Sequence, residues 1–547
     1  MIIGLFILLG ILPNLSQAYI KTRASNGNVI KWSLPKKISY FGNSVNNSGL
    51  SSTDVFNSIV RGLETWKEAT GGLFNFEYTQ GTDGATYFKN SDYNQKNTIY
   101  FGDLDPGVIG MTQLWFNNGT GEMLETDIQL NDVDFYFTEN PADTTSTSGN
   151  VNGRRKVYIN NVLTHEMGHA VGLSHEEGLH STMFYQEFYN QHQISCDERA
   201  GAQSHYPNIP GSSAISGKIL APSGSPLFGV HVIAISHARG SPLSSALSDK
   251  DGTFALEGLE AGNYSILFEP YYPGAANLTA YYSGMNHAIC SSSFFPRQMD
   301  TRTFSVGAGA VTGLGDLSMS CATNFIGVNS GTLNDLSHPI EQGALSDGAS
   351  TVWSGVFNTR TELFYGFTTT GGNIRVHSLA NTFYSFTQGS VQLTDDVGNV
   401  IAPSVNQYPR YSVDGFTNYD HSTQYANLPA GHYVLRIKRN SVPSRELAGG
   451  SQLLDNKQFF IVALSQDVAT PLASHYPDNV KCQKVLPPSS YVSPTPPAEK
   501  PKGGCGSIQA VGGSDGGSSW TSFGALLPYL LMGLMLRFGR RRFNLFK

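Results

Sequence analysis

The chain has 547 residues, room for about three to four domains. A net charge of −7 argues against a general nucleic-acid binder, and five cysteines are too few for a disulfide-dense scaffold. With 59 glycines, 31 phenylalanines and 26 tyrosines but only 14% charged residues, β-rich exported domains fit better than helical bundles or disordered chains.

Residues 2–12 are almost wholly apolar, and Pro13 ends the run. Ser16-Gln17-Ala18 then offers small residues for cleavage, so 1–18 reads as a secretory signal, although no Lys or Arg precedes the run. An uncleaved membrane anchor is the alternative. Residues 19–207 form the first unit. Lys36-Lys37-Ile38-Ser39-Tyr40-Phe41 and Thr98-Ile99-Tyr100-Phe101 read as strands. Val55, Ile59, Leu63 and Trp66 recur at helical spacing, with Ser52, Thr53 and Asp54 as candidate caps. A mixed α/β (α+β) domain is expected.

The chemistry concentrates in His165-Glu166-Met167-Gly168-His169-Ala170-Val171-Gly172-Leu173-Ser174-His175. On a helix, His165 and His169 project from one face. Asn160 or Asn161 can cap that helix, and Gly172 permits a sharp exit that swings His175 back as a third nitrogen ligand. Three neutral imidazoles leave a fourth position of a zinc ion open to water, whose pKa falls to about 7 there. Glu166, beside the first ligand, is placed to act on that water as general base and then on a leaving amine as general acid.

This motif resembles that of the metzincin zinc metalloproteases. Ser181-Thr182-Met183 supplies the family's Met-turn, with Met183 at the short spacing from His175 of the matrixin branch. Asp127-Ile128-Gln129-Leu130-Asn131 resembles the matrixin edge strand, and the stretch Asp197-Glu198-Arg199-Ala200 onward to Tyr206 resembles its closing helix. The resemblance implies an endopeptidase whose edge strand pairs with an extended peptide. Tyr185, in Ser181-x-Met183-x-Tyr185, is similar to a tyrosine of the astacin and serralysin branches and is a candidate contact to zinc or the oxyanion, or else a pocket wall. Glu176 also resembles the astacin branch and is given no catalytic role. A Cys-switch propeptide and the second zinc site of animal matrixins have no counterpart. Asp83, Asp103, Asp105 and Asp132 offer oxygens for calcium, but at no EF-hand-like spacing; surface charge is the default. His180 is read as a loop histidine.

Residues 213–322 change character. Short β-like runs are split by turns, and Asp249-Lys250-Asp251-Gly252-Thr253-Phe254 followed by Leu259-Glu260-Ala261-Gly262-Asn263-Tyr264 resembles the carboxypeptidase regulatory-like β-sandwich. Residues 323–475 alternate again, as in Phe364-Tyr365-Gly366-Phe367 and Tyr433-Val434-Leu435-Arg436-Ile437, and resemble the pre-peptidase C-terminal sandwich. Residues 485–519 form a Pro/Gly-rich linker with Gly503-Gly504-Cys505-Gly506. Residues 520–547 hold an apolar run and a basic end, Arg537, Arg540, Arg541, Arg542 and Lys547. The arrangement resembles bacterial sorting tails cut near Cys505; a plain transmembrane anchor is the alternative. Of the other cysteines, Cys290 and Cys321 are the favoured pair, and Cys196 has no legible partner.

The expectation is an exported, C-terminally anchored zinc endopeptidase acting on proteins or peptides, followed by two β-sandwiches and a C-terminal membrane or sorting helix. Oligomeric state is not readable. The rival readings are a surface adhesin with a non-catalytic metzincin domain and a zinc hydrolase of non-peptide amides.

Overall fold

The computed structural model describes residues 20–466 except 35–36, 82–92, 147, 177–180, 207–212, 272–279, 286–288, 291–296, 301, 322–332, 358–359, 381–387, 408–411, 414–415, 418–419 and 442–458, and also describes 509–511. The signal segment 1–18, the linker around Cys505, the run 520–547, His180 and Asp83 lie outside the described residues. Among the described residues no helix is long and apolar enough to cross a membrane.

The first unit builds on β1 (Lys37–Asn43), α1 (Ser52–Ala69), β2 (Asn75–Gly81), β3 (Asn97–Gly102), β4 (Gly110–Asn117) and β5 (Met123–Asn131). β6 (Phe135–Thr138), β7 (Asn150–Val151), β8 (Arg154–Tyr158), α2 (Ile159–Val171) and α3 (Cys196–His205) follow. β2, β1, β3 and β5 lie side by side and parallel, and β4 runs antiparallel on the far flank of β5. Asp127–Asn131 is therefore interior. β3 and β4 bond its two flanks, so it cannot be the edge strand that its pattern suggested.

α1 buries Val55, Ile59, Leu63 and Trp66, the residues of its apolar stripe. Its cap is Ser51, one residue before the expected candidates. The Ser51 side chain accepts from the Asp54 N–H, and the Asp54 carboxylate accepts from Ser51. That reciprocal pair satisfies two otherwise unpaired donors. The Trp66 indole donates 2.8 Å to the Thr164 carbonyl and locks α1 against α2.

α2 starts on Tyr158 without a side-chain cap. Asn160 and Asn161 lie inside the first turn and face the protein instead. The Asn160 amide donates to Ser58 O, and the Asn161 amide donates to Glu187 Oε1 and Phe188 O. A buried amide must find partners, and these were on neighbouring segments. The helix ends at Gly172, whose φ of +105° is the left-handed conformation. A Cβ there would stand 2.5 Å from Ile30 O, so glycine is required twice over.

The next module pairs two sheets. One contains β10 (Val230–Ser236), β11 (Ser241–Leu247) and β13 (Gly262–Pro270); the other contains β9 (Ser213–Leu220), β12 (Thr253–Leu259) and β16 (Val311–Ser318). Both faces feed one core of Ile215, Ile219, Val232, Phe254 and Ile266, which Cys196 of α3 also joins. Cys290 and Cys321 form a disulfide across a separation of 31 residues, and Cys196 is disulfide-bonded too. Replacing Cys290 and Cys321 by Ser is expected to lower unfolding stability by about 3 kcal/mol, read as a fall in the denaturant midpoint. An unchanged midpoint would contradict this.

Beyond it, two five-stranded sheets face each other around Trp353, Tyr365, Ile374, Leu435 and Val462. Leu379, Phe459 and Ile461 pack against Ile233, Ile235 and Leu267 of the preceding module. The molecule is thus multidomain: a mixed α/β domain followed by β-rich ones.

Candidate metal centre

α2 carries His165 and His169 one turn apart, and the left-handed exit at Gly172 returns His175 to them. The Nε2 atoms of His165 and His175 are 3.2 Å apart, as are those of His169 and His175. Among the described residues this is the group that could hold a metal ion. The His165 Nδ1–H donates 2.9 Å to Thr182 O, and the His169 Nδ1–H donates 2.8 Å to Leu173 O. Those bonds place the protons on Nδ1 and leave Nε2 lone pairs converging on one point.

Converging lone pairs repel unless a cation lies between them. With nitrogen–zinc bonds of about 2.0–2.1 Å, tetrahedral geometry separates ligand nitrogens by about 3.3–3.4 Å. The observed spacing fits that. Burial pushes His165 down to about 3 and His169 down to about 4, and holds His175 well below the ordinary histidine range. All three are thus neutral at physiological pH, the form that binds metal. Three neutral nitrogens suit zinc and leave a coordination position open.

Glu166 lies on the same helix, fully buried. Thr112 of β4 donates through Oγ1 to Glu166 Oε2 at 2.7 Å and to Glu166 O at 2.9 Å. Burial pushes the Glu166 carboxyl up to about 7, against the opposing pull of the Thr112 hydrogen bond. A divalent cation at the histidines would draw it back down. β4 passes closely here: a Cβ on Gly110 would stand 2.7 Å from Glu166 Oε1 and from a Val162 methyl.

Met183 is buried beneath the histidines. A Cβ on Gly168 would lie 2.2 Å from its sulfur, so the helix glycine and the methionine are matched shapes. The turn is held by α3. Glu198 Oε1 accepts from Met183 N at 2.9 Å and from the Ser181 hydroxyl. The Gln191 amide donates to Thr182 O and Phe184 O. Thr112, Glu198 and Gln191 were not found from sequence. Each is a lone polar residue with no motif spacing, although Glu198 does open the expected closing helix. The Tyr185 ring sits 4.6 Å from that of Phe184, on the segment just past Met183. Asp132 takes a hydrogen bond from Asn47 N at 2.5 Å and serves a turn.

Two stretches of the chain are similar to known families. Residues 31–207 match the matrixin family model, and residues 214–285 match the carboxypeptidase regulatory-like domain. Nothing among curated proteins matches the chain. Among solved structures, the pre-peptidase C-terminal domain of collagenase from Bacillus anthracis is 13% identical, covering 23% of this chain and 97% of that one at a TM-score of 0.15. Klebsiella pneumoniae 5-hydroxyisourate hydrolase is 23% identical over 20% of this chain and 85% of its own, at a TM-score of 0.13. Similarities that low carry no weight here. With three histidines brought together on and just past α2, residues 31–207 form a matrixin-like domain of the metalloprotease kind, and a carboxypeptidase regulatory-like domain follows it at 214–285.

Proposed function

We propose that the first domain is a zinc endopeptidase that hydrolyses peptide bonds of extracellular proteins. The observation that carries this is the convergence of three Nε2 atoms beside a buried carboxylate that Thr112 orients. Bound at His165, His169 and His175, zinc supplies Lewis acidity and a water of lowered pKa. Glu166 takes the proton of the attacking water and delivers it to the leaving amine nitrogen. Thr112 holds the carboxylate in one orientation while this happens. Gly110 and Thr112 bring β4, and not Asp127–Asn131, against Glu166. Tyr185 would reach the substrate oxyanion or wall a specificity pocket.

Export through the 1–18 signal, and anchoring or sorting through the tail around Cys505, complete the proposal. Disulfide-bonded Cys196, Cys290 and Cys321 support an oxidising compartment. The β-rich module after the regulatory-like domain would act as a spacer of the pre-peptidase C-terminal kind. A non-catalytic adhesin is disfavoured because the carboxylate such a protein could discard is present and oriented. The test is hydrolysis of a mixed quenched-peptide library by the full chain before and after chelation. Activity that vanishes on chelation and returns with one equivalent of zinc supports the reading. Hydrolysis indifferent to chelation would overturn it.

A further inference from the structure

His165 and His169 are fixed by a helix. His175 sits beyond its end, on a segment that regular structure does not hold. Its own domain ties this segment through its backbone, with Ser174 N–H donating 2.7 Å to Ile20 O, and the regulatory-like domain adds side-chain contacts at His175 and Glu176. The Tyr271 hydroxyl, just past β13, donates 3.1 Å to the backbone carbonyl of His175 itself. The next residue, Glu176, places Oε1 3.0 Å from His231 Nε2 on β10. The other nitrogen of His231 lies 2.9 Å from Glu269 Oε1, on β13. Arg297 donates through Nε to Glu269 Oε2 at 2.7 Å. Ser245 of β11 contributes a hydroxyl 3.4 Å from Glu176 Oε2, and its N–H donates 2.5 Å to Asp197 of α3.

Glu176, His231, Glu269, Arg297 and Tyr271 are all nearly inaccessible to solvent. His231 and Glu269 are also direct cross-strand partners, which fixes the angle at which the imidazole leaves the sheet. Both ring nitrogens lie beside a carboxylate: Nδ1 hydrogen-bonds Glu269, and Nε2 is within ion-pair distance of Glu176 without hydrogen-bond geometry. Two anions and two cations then alternate from Glu176 to Arg297. A buried chain of this kind is costly to desolvate and adds little net stability compared with apolar side chains. Its value lies in direction: it permits one arrangement of Glu176 relative to the sandwich, and Glu176 is bonded in sequence to the third ligand. Its own N–H donates 2.9 Å to Met183 O, so the same residue ties the ligand segment to the Met-turn.

We propose that the Glu176–His231–Glu269–Arg297 chain and the Tyr271 hydroxyl position His175, making the regulatory-like domain a working part of the metal centre. Without the sandwich His165 and His169 keep their helix, while His175 keeps only its segment's backbone ties to Ile20 and Met183 and loses the side-chain support that fixes its position. The proposal rests on the metal-centre reading of the three histidines.

The test uses the full chain and zinc alone, with affinity measured by competition against a chromophoric chelator and no peptide present. Tyr271→Phe removes one hydroxyl and keeps the buried ring. His231→Gln breaks the charged chain. Ile219→Ala opens the same domain's core from its other sheet, away from the contact. Both positioning variants should bind zinc on the order of tenfold more weakly, as removal of a ligand's supporting partner does elsewhere. The Ile219→Ala variant should bind within about twofold of wild type under folded conditions, because it leaves that support intact. If His231→Gln fails to fold, Tyr271→Phe still decides. Unchanged zinc affinity in Tyr271→Phe overturns the proposal, and so does an equal loss in Ile219→Ala, which would mark general destabilisation. A wild type that binds no zinc overturns the metal-centre reading beneath it, a result distinguishable from either.

Discussion

Glu166→Gln is expected to reduce kcat for peptide hydrolysis by about 10²–10⁴-fold while zinc binding and fold persist. The substitution is nearly isosteric. The Gln carbonyl oxygen can still accept from Thr112 Oγ1, which donates 2.7 Å to Glu166 Oε2 in the native chain. What is lost is the ability to take and return a proton. The three imidazoles are untouched, so zinc content should be unchanged. Stability should not fall, because a fully buried carboxylate whose ionisation burial opposes is replaced by a neutral amide. The measurement is kcat alongside zinc content and thermal midpoint. A kcat within about threefold of wild type would show that Glu166 is not the proton-transfer group.

Gly168→Ala should be the most damaging single methyl in the centre. In an ordinary helix interior this change stabilises by about 1 kcal/mol. Here the new Cβ would sit 2.2 Å from Met183 Sδ and 2.8 Å from Trp66 Cζ2. Trp66 cannot yield: it is fully buried and its indole N–H is committed to Thr164 O. Met183 must move, and its backbone N–H is held by Glu198 while the adjacent Thr182 O accepts from His165. Overpacking of this kind costs about 1–3 kcal/mol or more, enough to outweigh the propensity gain. The expected result is a lower thermal midpoint together with weaker zinc binding, since the displaced turn carries the acceptor that orients His165. A higher midpoint would show that Met183 relaxes freely and that the turn does not brace the ligands.

The meeting of His165, His169 and His175 was legible because their spacing has a geometric consequence that needs little tertiary information. Residues i and i+4 of a helix share a face, and a glycine is the residue that permits an abrupt exit. The buried stripe of α1 was readable for the same reason. The failures have a common physical cause, which is that local pattern does not specify neighbours. Asp127–Asn131 has the alternation of a strand, but whether a strand is interior or outermost depends on β3 and β4. Asn160 and Asn161 are good capping residues in the right place, yet their amides are drawn to Ser58, Glu187 and Phe188, which lie far away in sequence. Thr112 stands 54 residues before Glu166 and belongs to no motif. Glu176 was visible as an oddity beside the third ligand, but its partner His231 lies in another domain.

In the proposed function, zinc held by His165, His169 and His175 and the carboxylate of Glu166 together hydrolyse peptides. This is tested most directly by one assay: the full chain, stripped of metal, titrated with zinc in a quenched-peptide mixture beside Glu166→Gln. Wild-type hydrolysis is expected to rise linearly to one equivalent of zinc and then level, with the variant flat throughout although it binds the same zinc. Hydrolysis by the metal-free chain, equal rates in the variant, or a folded, zinc-saturated wild type that cuts nothing in the mixture would contradict it.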